Sequence, residues 1–298
     1  MSQESKFKVT LLGTGGPPPR LDRFGPSTLI EAGDCKLLID AGRGSTIRLC
    51  QLGISLGLID ALLITHYHSD HVSGVPDLWL TGWLGGRYAG RKQPFRVIGP
   101  VGAHNLMQNL ERAYSLDIAI RIADEKLLPG AARMDVAEFC ADSVIYEEKG
   151  VKVIAFEVDH GPAIRPAYGY RIEHGGRVAV ISGDTRYNEN LIKHSTGADL
   201  IVHEVAMARG DLKTDPSVVR VLAHHTTPQD AGQVFARTKP KLAVYSHLVY
   251  VTSELASPIP VADFLAATRE TYKGPLQCGE DLMAFEIRSS VVACKAGD

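Results

Sequence analysis

Short apolar runs rich in β-branched residues recur along this chain, with Gly- and Pro-containing turns between them. On that pattern, residues 8–12, 27–31 and 36–40 read as strands. Residues 44–52 place Ile47, Leu49 and Leu52 on one helical face. Strands over 59–65 and 96–98 follow, then a helix over 101–114. Residues 115–141 form a weaker stretch of mixed polarity, with a turn at Pro129-Gly130. The pattern over 144–158 predicts two strands around Lys149-Gly150, and 168–173 with 177–182 predict a hairpin about His174-Gly175-Gly176. A strand at 200–203, a helix at 228–238 opening on Pro228, a strand at 242–246, a helix at 261–272 and a strand at 282–287 complete the series. The two halves run alike, and no linker, low-complexity tract or fixed-period repeat divides them. A layered α/β fold is expected, as a single domain over 1–298 with sheets inside and helices outside.

Composition narrows the function classes. Of the 298 residues, 45% are apolar and 22% charged, as in ordinary soluble globular proteins. A net charge of -2 supplies no global basic field, which makes nucleic acid a disfavoured partner without excluding it. No apolar run is long enough to span a bilayer, and the opening Met-Ser-Gln-Glu-Ser-Lys has no apolar signal core, so no membrane partner is expected. The 5 cysteines form no C-x-x-C pair and read as reduced thiols of a cytoplasmic protein.

The chemistry concentrates at residues 65–71, Thr-His-Tyr-His-Ser-Asp-His, directly after the apolar Ala61-Leu62-Leu63-Ile64. Side chains two apart on a strand share a face, so His66 and His68 project together. A turn at Ser69 returns Asp70 and His71 to the same place. Imidazole and carboxylate together suit an ion such as zinc, and their split suggests two metal positions. Three further donors follow apolar runs in the same way: His160, Asp184 in Ser182-Gly183-Asp184-Thr185, and His247.

These residues carry a resemblance. H-x-H-x-D-H followed by a downstream His, Asp and His resembles the metallo-β-lactamase superfamily. Leu12-Gly13-Thr14-Gly15, Asp40-Ala41-Gly42-Arg43-Gly44, Ser182-Gly183-Asp184-Thr185, His203-Glu204 and His225-Thr226-Thr227 resemble its ribonuclease Z branch. The matching motifs run from about residue 9 to 250. The resemblance implies an αββα sandwich, with the metals between the two sheets at one edge. It implies two Zn2+ ions, Mn2+ or Fe2+ being compatible, one on His66, His68 and His160 and the other on Asp70, His71 and His247, with Asp184 bridging. It also implies a homodimer. A hydroxide held between two cations is a nucleophile already in place, and no G-x-S-x-G elbow suggests another. Asp70 is counted with the catalytic group as well as with the ligands. His225 is the candidate proton donor, with Glu204 to orient it and His224 as the competing neighbour. His203 is a candidate partner behind the ligands. His104, His174 and His194 read as plain surface residues.

The substrate is read as a small molecule with an ester-type bond: a lactone, carboxylic ester, phosphodiester or sulfate ester. The alternative is the tRNA 3′-end trimming of ribonuclease Z, with weak β-lactam hydrolysis as a side activity. A metal-binding protein without catalysis is a third reading. Three features weigh against tRNA. The hairpin at 168–182 leaves no room for the family's tRNA-clamping arm, Leu248-Val249-Tyr250-Val251 replaces the Ser-x-Arg-Tyr-like stretch expected after His247, and the chain is mildly acidic. Arg87, Arg91, Lys92 and Arg96 form a local basic run, read as a solvated loop face. Trp79 and Trp83 could wall an apolar pocket beside the metals, or pack a helix on the core. Residues 206–223 and 115–141 are further candidates for pocket walls or a dimer surface. Gly13-Thr14-Gly15-Gly16 lacks the spacing of a phosphate loop and reads as a turn.

Overall fold

The fold is taken from a computed structural model, which describes residues 6–86, 89–252 and 259–295. Its first sheet joins Phe7–Gly13 (β1), Ser27–Ala32 (β2), Cys35–Ile39 (β3), Ala61–Leu63 (β4), Phe95–Pro100 (β5) and Met134–Phe139 (β6). The second joins Ser143–Glu148 (β7), Val151–Glu157 (β8), Tyr168–His174 (β9), Arg177–Ile181 (β10), Leu200–Ala208 (β11), Leu242–Val251 (β12) and Leu276–Cys278 (β13). Met283–Ile287 (β14) and Val291–Lys295 (β15) return to the first, giving the order β15-β14-β1-β2-β3-β4-β5-β6 against β13-β12-β11-β10-β9-β8-β7. Pairing is parallel from β3 to β6 and from β10 to β13, and antiparallel elsewhere.

Alternation in the strands builds the layers. In β4, Ala61 and Leu63 face the second sheet, while Leu62 faces outward. The inner face joins Val9, Ile30, Leu37 and Leu63 to Val153, Tyr170, Val202 and Val244. Burial of each such side chain contributes about 1.5–3 kcal/mol. The helix Val75–Trp83 (α3, after Ser45–Gln51, α1, and Ser69–Val72, α2) covers the first sheet together with Ala103–Ala113 (α4). Outside the second sheet lie Glu189–Ser195 (α6), Pro228–Thr238 (α8) and Val261–Thr268 (α9). The αββα sandwich expected from the motifs is therefore the observed fold.

Several elements depart from the pattern reading. The weak stretch 115–141 holds a helix, Ser115–Asp124 (α5), and the strand β6. No residue of α5 is fully buried: Ile118 and Ile122 pack half-buried on the core while Leu116 and Ile120 lie in solvent, so its apolar positions fall on both faces and give no clear helical stripe. Neither α6 nor Pro216–Leu222 (α7) was expected; each is a short helix stopped and started by its caps, Asn188 accepting from Leu191 N and Asp215 from Ser217 N and Val218 N. β4 ends at Leu63, so His66 and His68 stand on the loop beyond it, and β12 runs past 246 to Val251.

Candidate metal centre

On the first sheet, the loop after β4 and the short α2 carry four donors. Two close backbone approaches hold α2 in place. Ala41 N donates to His71 O at 2.8 Å and Gly74 N to Ala41 O at 2.8 Å. Gly42 is required there, because a Cβ would fall 2.4 Å from Gly25 C and 2.6 Å from Asp70 O. On the second sheet, Gly183 at φ 61 passes Tyr168 O so closely that a Cβ would lie 2.4 Å from it, and this turn delivers Asp184. His247 lies within β12 rather than at its end. The register with β11 slips there, His203 facing Tyr245 and Val205 facing Leu248, so two residues of β12 oppose Glu204. This bulge, with His247 at φ 44, aims the imidazole inward and lets the strand continue.

The structure brings all seven sequence-predicted donors into two abutting groups. His66, His68, His160 and Asp184 form one; Asp70, His71 and His247 form the other. His66 Nε2 and His160 Nε2 lie 3.0 and 3.3 Å from His68 Nδ1. Asp184 Oδ2 stands between the groups, 3.8 Å from His66 Nε2, 3.7 Å from His160 Nε2, 3.4 Å from His71 Nε2 and 3.2 Å from His247 Nε2. His247 Nε2 is 3.4 Å from Asp70 Oδ2.

Hydrogen bonds behind these atoms set their tautomers. Thr65 Oγ1 donates to Asp40 Oδ2 at 2.8 Å, so it accepts from His66 Nδ1 at 3.0 Å. His71 Nδ1 donates to Asp40 Oδ2 at 2.7 Å, and His160 Nδ1 to His224 O at 2.6 Å. Each ring therefore turns the lone pair of Nε2 into the cluster. Burial lowers the pKa of His66 and His68, and that of His160 to about 4, so these imidazoles are neutral. Burial alone would favour the acid form of Asp184, but His247, His71 and His66 hold it well below the usual carboxylate range. Burial also opposes charge on His71, yet Asp184 and Asp40 raise it well above an ordinary histidine in the metal-free chain.

The neutral rings of His66, His68 and His160 turn lone pairs toward one another and toward Asp184, an arrangement that a cation in place of the His71 proton would satisfy. Asp70 Oδ2, His71 Nε2 and His247 Nε2 are buried without a hydrogen-bond partner. A tetrahedral ion with bonds of about 2.0–2.1 Å requires donors roughly 3.3 Å apart, and the observed separations run from 3.0 to 3.8 Å about that value. The donor set fits metal ions of the zinc type.

Beside the cluster, His225 Nδ1 lies 3.2 Å from Glu204 Oε1. Glu204 is fixed by Thr226 N at 3.0 Å and Thr185 N at 3.2 Å. Burial disfavours charge on His225, but Glu204 outweighs it and raises the pKa to about 9. His224 accepts from His160 Nδ1 through its backbone carbonyl, and its ring lies beside those of His160 and His225. His203 is buried, donating to Glu204 O at 2.6 Å, with its ring edge on Phe235.

Other sequence candidates lie elsewhere. Trp79 and Trp83 are core residues; their indole N–H groups donate to Ala132 O at 2.9 Å and Leu128 O at 3.0 Å. The basic run is not one solvated face. Arg91 is buried and donates to Trp79 O at 2.9 Å, and Arg96 pairs with Glu148 at 2.6 Å. Arg87 lies outside the described residues. His174 is buried against Phe7, not on the surface, with Nδ1 on Gly150 O at 2.9 Å. His194 is half-buried, stacked on Phe156. Thr14 bonds Asp281 through both N and Oγ1, so the Gly13–Gly16 turn is a structural one. Asp40 and Thr65 escaped the sequence reading as site residues. The only signal was the acidic end of β3 before Gly42-Arg43-Gly44.

Comparison with known proteins follows the same lines. The family model described as anti-Pycsar protein Apyc1 matches residues 7–220. The chain is 33% identical over 294 residues to a protein named ribonuclease Z from Mycolicibacterium gilvum, covering 98% of this chain and 100% of that one. Among solved structures, the metallo-β-lactamase fold protein YhfI from Bacillus subtilis superposes with a TM-score of 0.74 at 19% identity, covering 95% of this chain and 100% of that one. The short form of human tRNase Z does so with a TM-score of 0.69 at 22% identity, covering 94% and 99%.

Proposed function

The chain belongs to the ribonuclease Z-like branch of the metallo-β-lactamase superfamily, which makes it a metal-dependent hydrolase, and from that premise we propose that it cleaves phosphodiester bonds of nucleotide substrates, RNA with a 3′ trailer first among them. The observation that carries this reading is the convergence of seven imidazole and carboxylate donors, four of their atoms buried without hydrogen-bond partners, beside the His225–Glu204 pair.

His66, His68 and His160 would hold one metal ion, and Asp70, His71 and His247 a second, with Asp184 between them. Zinc suits these donors, and Mn2+ or Fe2+ is compatible. When bound, such ions lower the pKa of water toward neutrality and offset charge growing on phosphoryl oxygens. The chain supplies the rest. Asp40, Thr65 and the carbonyl of His224 hold the rings in register. Glu204 lies against Nδ1 of His225 and favours the protonated form of that ring. Nε2 of His225 is then the atom that passes a proton to the leaving oxygen. A non-catalytic metal store would have no use for this pair.

The name of the full-length relative supports RNA over the small-ester reading. The tight turn at Gly175 and Gly176 between β9 and β10 leaves no place for an arm. That relative, however, aligns end to end over 294 residues, so ribonuclease Z naming extends to chains of this size. Small esters keep one supporting observation, a partly open, mainly apolar pocket of about 280 Å³ lined by Leu248 and Val249, the residues after His247. Nothing in the relatives' names favours lactones, carboxylic esters, aryl sulfates or β-lactams, so the small-substrate reading narrows to phosphodiesters. A paired assay separates the two: precursor tRNA with a 3′ trailer against bis(p-nitrophenyl) phosphate, each with and without chelator. Site-specific trailer removal supports RNA processing. Turnover of the small diester alone supports the second reading. Absence of any chelator-sensitive phosphodiester cleavage refutes both.

A further inference from the structure

The pocket beside His247 has a chemistry distinct from the donor cluster. Its walls include Pro17, Pro18, Arg20, Val221, Val249 and Tyr250, and its volume is about 280 Å³. It adjoins the site directly. A Cβ at Gly16 would stand 3.7 Å from His247 Cε1 and 3.6 Å from Val249 Cγ2, so Gly16, one wall of the pocket, also lies against a ring of the donor cluster. Leu248 N donates to Thr14 O at 2.9 Å and ties that turn to β12.

The walls are flat and apolar, and their charge is spent. Arg20 lies over the Tyr250 ring, 5.3 Å from its centroid, while its guanidinium binds Asp22 at 2.8 and 2.9 Å. An anion would find no unpaired cation on Arg20. A neutral planar ring would find proline faces, a guanidinium plane and a phenol, surfaces that lose little conformational freedom on binding. The volume falls just under the roughly 300–1,000 Å³ of pockets for drug-sized ligands. One ring system fits; a duplex does not.

We propose that this pocket is the nucleobase subsite of the enzyme, seating the base of the nucleotide whose phosphate lies over the donor cluster. The proposal rests on the nucleotide reading given above. Base stacking on such surfaces is worth about 1–3 kcal/mol, which predicts a preference of roughly tenfold for ligands that carry a base.

The test is calorimetric binding to the zinc-loaded chain, with adenosine 5′-monophosphate compared against ribose 5-phosphate. The nucleotide should bind about tenfold more tightly. Val221→Trp, which fills the pocket, and Tyr250→Ala, which strips one wall, should each bring the ratio to near one while ribose 5-phosphate binding stays within about twofold. Tyr250→Phe should keep the preference. Equal affinities in the native chain, no binding of either ligand, or a ratio untouched by Val221→Trp and Tyr250→Ala overturns the proposal. A base preference in a chain that cleaves no phosphodiester would sink the proposed activity and leave the pocket assignment intact.

Discussion

Two stretches of this chain look equally functional on paper and end up with opposite fates. Residues 66–71 crowd three histidines and an aspartate into one loop and short helix. Residues 79–96 gather both tryptophans and a basic run. In the second stretch, each indole N–H meets a backbone carbonyl, and Nη2 of Arg91 donates to two more at Trp79 and Ala131, leaving the single atom Nη1 without a hydrogen-bond partner. In the first, ring nitrogens and carboxylate oxygens crowd one another at 3.2–3.8 Å, and Asp70 Oδ2, His71 Nε2 and His247 Nε2 are buried without a hydrogen-bond partner. Chemistry-bearing side chains signal a site when folding brings several of their buried, unsatisfied polar atoms to one point. When the backbone satisfies them, they are packing.

Substitutions can break or sharpen that contrast. The largest effect is expected for Asp184→Ala, which removes the oxygen shared by both groups. Losing several kcal/mol of charge stabilisation should lower phosphodiester turnover on the order of 10³-fold or more. Metal content measured by mass spectrometry should fall with it, with circular dichroism unchanged. Trp79→Ala should do the reverse, costing about 3–5 kcal/mol of stability in urea unfolding while turnover per folded molecule and bound metal persist. If Trp79→Ala instead raised KM with stability intact, the tryptophan would be a pocket wall after all.

Smaller effects probe the residues behind the donors. His225→Gln should lower kcat about 10²-fold with metal content retained. Asp40→Asn keeps a residue that tolerates the left-handed backbone at φ 57 but loses the charged acceptor of His71. It should weaken metal binding roughly 10- to 100-fold in a chelator competition. The Glu204–His225 pair adds a pH signature to the metal-free chain. The folded pKa of His225 is raised to about 9, so its contribution to stability is complete below the unfolded value near 6.5 and is lost as pH rises through about 9. Glu204→Gln should therefore destabilise the metal-free chain at pH 6 and have less effect at pH 10, read by thermal unfolding.

The same contrast explains what was legible in the sequence. The donors at 66–71 announce themselves because their spacing is local. His160, Asp184 and His247 were reachable because each follows an apolar run, even though β12 passes through His247 on a bulge that alternation cannot reveal. Asp40 and Thr65 could not be assigned, since their roles depend on contacts made only when β3 and β4 pair in parallel. The helix α5 was missed because its apolar residues are split, Leu116 and Ile120 in solvent and Ile118 and Ile122 only half-buried against the core. The tryptophans misled because aromatic side chains serve cores and pockets alike, and only their satisfied N–H groups decide between the two.

The measurement that tests the central claim most directly is a zinc titration of the metal-free chain, following bound metal and phosphodiester turnover together. The account predicts that turnover rises with bound zinc, saturates at two ions per chain and disappears with chelator. Phosphodiester cleavage that survives complete metal removal, or a chain holding two zinc ions that cleaves neither trailer RNA nor a small diester, would contradict it.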